Sequence, residues 1–192
     1  MVLFFVLDYQ QKYRLFTTEA FQVGEVRFSR WQTLWTKAKE KLLLLPPRIL
    51  HQEQALAQIL KHDPSSIDIL VSGRVQLPKL HRKFAFFLQK QKTSHLGLII
   101  GEILLLPISG LAALLPGPNV FFGFLALLLN THWRAWRGVR RLQSKKLVFK
   151  PHPLLQEWEE AVENQACHRY PAILQKLNES FQYSHFSKIL WK

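Results

Sequence analysis

The chain has 192 residues, with 26 Lys and Arg against 13 Asp and Glu, a formal net charge of +13 and one cysteine. That length bounds it to one domain with room for a small appendage, and the lone Cys167 excludes a disulfide framework or a multi-cysteine metal site and fits a reducing compartment. No nucleophile–base spacing, Gly-rich phosphate loop or metal-ligand cluster is visible, so no enzyme, cofactor or metal is expected, and without an RNA- or DNA-binding motif the basic excess does not argue for nucleic acid.

The start, MVLFFVLDYQ, is apolar but has neither a basic n-region nor a small-residue cleavage site, and it lacks the Arg/Ser-rich look of a transit peptide. No leader is expected. Residues 2–7 and 13–18 are rich in Val, Phe, Tyr and Thr and read as a strand pair. Over 28–45, Trp31, Leu34, Trp35, Ala38, Leu42 and Leu45 follow helical spacing until Pro46-Pro47. That basic helix suits either a membrane surface or packing within a domain. A second helix spans about 51–61, with Ala55, Leu56, Ile59 and Leu60 inward, and 67–71 is a strand closed by Ser72-Gly73. Residues 1–73 thus form a small α+β portion. Residues 74–94 hold a basic amphipathic helix whose stripe is Leu80, Phe84, Phe87 and Leu88, the footprint of contact with anionic lipid headgroups.

Residues 95–143 carry two apolar runs, 96–115 and 120–129, around Pro116-Gly117-Pro118-Asn119. The first matches the roughly 20 residues a helix needs to cross a hydrocarbon core. Between Arg74 and Lys150 there are thirteen Lys and Arg against one acid, Glu102, placed on both flanks. Basic flanks on one side imply an even number of crossings, with both termini on the cytoplasmic or matrix side. Trp133 and Trp136 would form an aromatic belt, with Arg134 and Arg137 snorkelling. The expectation is a transmembrane helical hairpin; a buried hairpin in a soluble helical domain is the alternative. Residues 144–192 read as C-terminal helices, one over 153–169 and one from Pro171 with Ile173, Leu174, Leu177 and Phe181 inward. The expected fold is therefore mainly α: an integral membrane helical hairpin with amphipathic flanking helices and a small N-terminal α+β portion.

His81-Arg82-Lys83, a proline-bearing apolar stretch through Pro107, and LLPGPNVFFGFLALLLNTHWRAWRG at 114–138 resemble the mitochondrial potassium–proton exchange-related family. The residues that carry the likeness are Pro116, Pro118, Asn119, Phe122, His132, Trp133, Arg134, Ala135 and Gly138. The resemblance implies a membrane protein in potassium–proton exchange, as transporter component or regulator; a non-transporting, membrane-anchored interaction module is the alternative. Shortness and the missing leader point to a bacterial member. The location implied is the bacterial inner membrane, or the mitochondrial inner membrane if the source is eukaryotic.

Among individual residues, Glu102 is the leading candidate, because an ionisable group in a span is costly and functional by default. It lies fifteen residues before Gly117 and His132 fifteen after, so an antiparallel hairpin sets the two level, with Arg134 within a turn. The three could relay protons, select a cation, or form a structural ion pair fixing the hairpin register. His132 could carry protons or cap a helix end; Asn119 could line a cation path or serve as an N-cap. Gly97 and Gly101 form a GxxxG, with Gly123 opposite, suited to close helix packing. Potassium and protons are the possible ligands, and because two spans cannot enclose a path, a homo-oligomer or larger membrane complex is implied.

Overall fold

The run VLFFVL is apolar at every position, which suits a strand covered on both faces. In the computed structural model, which describes residues 1–18, 47–62, 66–112 and 120–191, this run is a central strand. β1 (Val2–Leu7) pairs antiparallel with β2 (Tyr13–Phe16) and parallel with β3 (Ser66–Val71). β3 in turn pairs parallel with β4 (Lys146–Pro151), giving a mixed sheet in the order β2-β1-β3-β4. β4 is an edge, and Lys146, Lys150 and Pro151 suit an edge by blunting further pairing.

Helices cover both faces. On one lie α1 (Pro47–His62), the first half of α2 (Leu77–Ala112) and the second half of α3 (Val120–Gln143). Leu3, Phe5, Ile67 and Ile69 of the sheet meet Leu56 and Ile59 of α1, Phe84 and Leu88 of α2, and Val139 and Leu142 of α3 there. On the other lie α4 (Pro153–Glu163), α5 (Tyr170–Phe181) and α6 (Phe186–Leu190), gathered around Phe4, Val6, Trp158, Leu177 and Phe186. Proline sits in the first two positions of α1, α2, α4 and α5 (Pro47, Pro78, Pro153, Pro171), where its missing N–H is no loss. Trp158 Nε1 donates to the Leu7 carbonyl at 2.7 Å, and Glu159 Oε1 accepts from Leu7 N–H at 3.1 Å, fixing α4 to the end of β1.

The expected membrane hairpin is corrected by this arrangement. No helix among the described residues is long and apolar enough to cross a membrane. α2 and α3 are instead the crossover between parallel strands β3 and β4. The stretch taken as the second span runs on through Ala135, Val139 and Leu142 into the core beneath the sheet, so Trp133 and Trp136 form no belt. The transmembrane reading falls, and the argument for both termini on one side falls with it. The fold is mixed α/β, not mainly α, and residues 146–151, expected among C-terminal helices, add the fourth strand. The helix expected over 28–45 and the Pro116–Asn119 turn lie outside the described residues.

The 36 residues of α2 run for about 54 Å at 1.5 Å per residue, whereas a six-residue strand covers about 20 Å. Much of the α2–α3 pair therefore extends past the sheet, and it is there that buried polar side chains collect.

Candidate functional site

One seam of buried positions on α3 is Leu125, His132, Ala135, Val139 and Leu142, at multiples of three- and four-residue spacing, with Thr131 and Gly138 buried beside it. The facing seam of α2 runs Leu80, Phe84, Leu88, His95, Ile99 and Glu102. His95, Glu102 and His132 thus interrupt seams that are otherwise apolar, with Thr131 buried beside His132 and donating to the Leu127 carbonyl. Seven residues, two helical turns, separate His95 from Glu102, which puts both on the face turned to α3. α1 adds Glu53 from a third side.

The four side chains meet. His132 Nδ1 lies 2.6 Å from Glu102 Oε1, and His132 Nε2 lies 3.8 Å from Glu53 Oε1. The rings of His95 and His132 are 5.8 Å apart. Glu53 and His95 are 5% exposed, His132 6% and Glu102 7%. A carboxylate oxygen accepts, so His132 donates its Nδ1–H to Glu102, and its Nε2 faces Glu53. Burial, with His132 beside it, pushes the His95 imidazole down to about 4.

The sequence arithmetic that set Glu102 and His132 level is met by this contact. Arg134 does not join them: two residues from His132 is about 200° around the helix, and it is exposed. Asn119, Pro116 and Pro118 lie outside the described residues. Of the other motif residues, His81 rests on Phe149 at a ring distance of 4.5 Å, and Lys83 Nζ donates to the Tyr13 hydroxyl at 3.3 Å. Arg82, Pro107, Phe122 and Trp133 are exposed, and Ala135 is core. At Gly97, Gly101 and Gly123, where close helix packing is expected, a Cβ would meet nothing within 4 Å among the described residues of the single chain. Gly138 makes a close approach: a Cβ there would fall 2.1 Å from the Leu56 carbonyl oxygen of α1. This close approach brings α1, and with it Glu53, against α3.

Sequence reasoning missed His95 and Glu53. His95 carried a signal, two turns before Glu102 on one face; Glu53, on a separate helix, carried none.

The family described as mitochondrial K+-H+ exchange-related matches residues 19–145. The chain belongs to this family. No curated protein and no solved structure matches it. All four residues of the buried cluster fall within the matched stretch, whereas β1, β2, β4 and α4–α6 lie outside it. The family's name suggests a role related to mitochondrial K+-H+ exchange.

Proposed function

We propose that this member of the family serves potassium–proton exchange as a regulatory or accessory component and is not itself the conduit. The observation that carries the reading is enclosure: Glu53, His95, Glu102 and His132 are at most 7% exposed and are held by three helices of one chain. A passage for ions needs polar groups that reach solvent at two ends, and this cluster is sealed. Its imidazoles also suit transition metals better than an alkali cation, which prefers carbonyl and carboxylate oxygen.

An accessory component must attach to something. Leu96, Leu98, Ile100, Ile103, Leu104 and Leu105 of α2 are 40–68% exposed and offer an apolar strip to a larger exchanger or to a second copy. The Lys and Arg that precede the strip and follow it on α3 suit anionic headgroups at a membrane surface.

The test is potassium-driven proton flux. In vesicles from cells lacking the chain, flux should fall and be restored by adding it back, while liposomes holding the purified chain alone should show none. Flux from the purified chain would overturn the accessory role, and unchanged flux on its removal would break the link to exchange.

A further inference from the structure

We propose that Glu53, His95 and His132 are the ligands of a divalent transition-metal ion, zinc by the chemistry of the set, with Glu102 holding His132 from behind. One ligand atom from each of the three lies within 4.8 Å of the others, and all three residues are buried. Zinc bonds of about 2.0–2.2 Å in a tetrahedron set ligand atoms about 3.3–3.5 Å apart. The His132 Nε2–Glu53 Oε1 distance of 3.8 Å needs to close by a few tenths of an ångström, and the spacing to His95, within 4.8 Å, by up to about 1.3 Å. Two imidazoles and one carboxylate, with water in the fourth place, make a common zinc set.

Three further features fit an ion. A metal-binding histidine usually gives its other ring N–H to a carboxylate, which fixes tautomer and orientation. His132 does this to Glu102 at 2.6 Å. Neither ring nitrogen of His95 has a hydrogen-bond partner among the described residues, although the residue is 95% buried. A buried, unpartnered nitrogen is destabilising, and a metal gives it a partner. Two buried carboxyl groups, Glu53 and Glu102, also match the charge of a divalent ion. Imidazole selects zinc and its neighbours over potassium, magnesium or calcium.

With one ligand from each of α1, α2 and α3, the ion would cross-link the three helices that extend past the sheet. It would set their spacing and with it the presentation of the apolar strip on α2. The inference stands apart from the exchange reading. Zinc binding with no effect of the chain on flux retires that reading alone, and control of flux without zinc binding retires this one alone.

The experiment uses the purified full chain, stripped with chelator and titrated with zinc. Cobalt(II) serves as a spectroscopic probe. A Cys167→Ser/His168→Ala background removes an exposed pair that could take up zinc adventitiously. Expected are one equivalent of bound zinc, a rise in Tm with zinc, and the visible absorption of low-coordinate cobalt with nitrogen ligands. His95→Leu, which replaces an unpartnered ring by an apolar group, should keep the fold without metal and weaken zinc at least 100-fold. Glu102→Gln should weaken it about 10–100-fold. Absence of stoichiometric zinc in the background chain would overturn the site. So would affinity unchanged in both His95→Leu and Glu102→Gln; should His95→Leu not fold, an unchanged Glu102→Gln decides alone.

Discussion

Gly138→Ala tests the packing that brings Glu53 to His132. The added methyl would fall 2.1 Å from the Leu56 carbonyl oxygen, 2.7 Å from its carbon and 3.1 Å from Leu56 Cβ. Ordinary contact starts near 3.4 Å, so α1 and α3 must part by about 1 Å, and the obstacle is backbone that no rotamer change can move. Overpacking of this kind costs about 1–3 kcal/mol. Against it stands the better helix propensity of Ala, worth about 1 kcal/mol. With a backbone obstacle the cost should sit at the upper end, leaving a net loss of about 2 kcal/mol. For a chain of this size that is a fall in Tm of about 4–8 °C. Gly101→Ala is the matched control, because its Cβ meets nothing within 4 Å among the described residues. There only the propensity gain acts, and stability should rise by about 0.5–1 kcal/mol. Calorimetry of both variants reads the difference in sign. A Gly138→Ala protein as stable as wild type, or more so, would refute the close α1–α3 contact.

A double-mutant cycle of Glu102→Gln and His132→Gln should give a coupling of about 0.5–3 kcal/mol in urea unfolding of metal-free protein; additivity within about 0.3 kcal/mol would disprove the 2.6 Å pair. Burial raises the Glu159 carboxyl pKa above its ordinary value, outweighing its bonds to Ser72 and Leu7 N–H. The folded state then binds more protons than the unfolded one above the ordinary carboxylate range, so stability from this group is lost as pH rises through the raised value. Glu159→Gln should flatten that decline, and equal slopes of urea midpoint against pH would contradict it. Leu104→Glu, at a position 68% exposed, should change stability by less than about 0.5 kcal/mol; a loss above 2 kcal/mol by the same assay would mean that the strip is covered within the chain.

Much of the fold was legible locally. β1, β2 and β3 and the helices α1 to α5 follow from β-branched and aromatic runs, helical spacing and, for α5, the proline at its start. The level placement of Glu102 and His132 followed from counting along a hairpin. What misled was the breadth of the apolar surface on α2. Ile99 faces the seam while Leu98, Ile100, Ile103 and Leu104 face outward, so the run looks apolar all round. Local pattern cannot tell such a helix from a span, because the difference lies in the strand after it. Lys146–Pro151 was passed over since its flanking lysines and proline weaken the strand signal, though these are edge features. Parallel pairing of β3 with β4, whose partners Ile67 and Leu147 stand 80 residues apart, is a long-range fact that no window contains.

The polar cluster also has a structural consequence that binds these observations together. An apolar seam alone tolerates sliding, because one Leu layer can replace another a turn away. A shift of α2 against α3 by one turn, about 5.4 Å, would pull Glu102 from His132 and leave both buried beside aliphatic side chains. Buried polar groups are the best-attested means of fixing register between helices. Glu102 and His132 are thus placed to set the register of α2 against α3, while Gly138 permits the close approach of α1 to α3. Each is needed for Glu53 and His95 to meet His132 at one point. A chain with His132→Leu and Glu102→Leu would keep an apolar seam and lose that constraint. It should fold, yet show faster hydrogen exchange along residues 95–102 and 125–132 than along the sheet-packed Val139–Leu142. Exchange in the outer segment unchanged from wild type would mean that the loops and sheet contacts, and not the polar pair, hold the register.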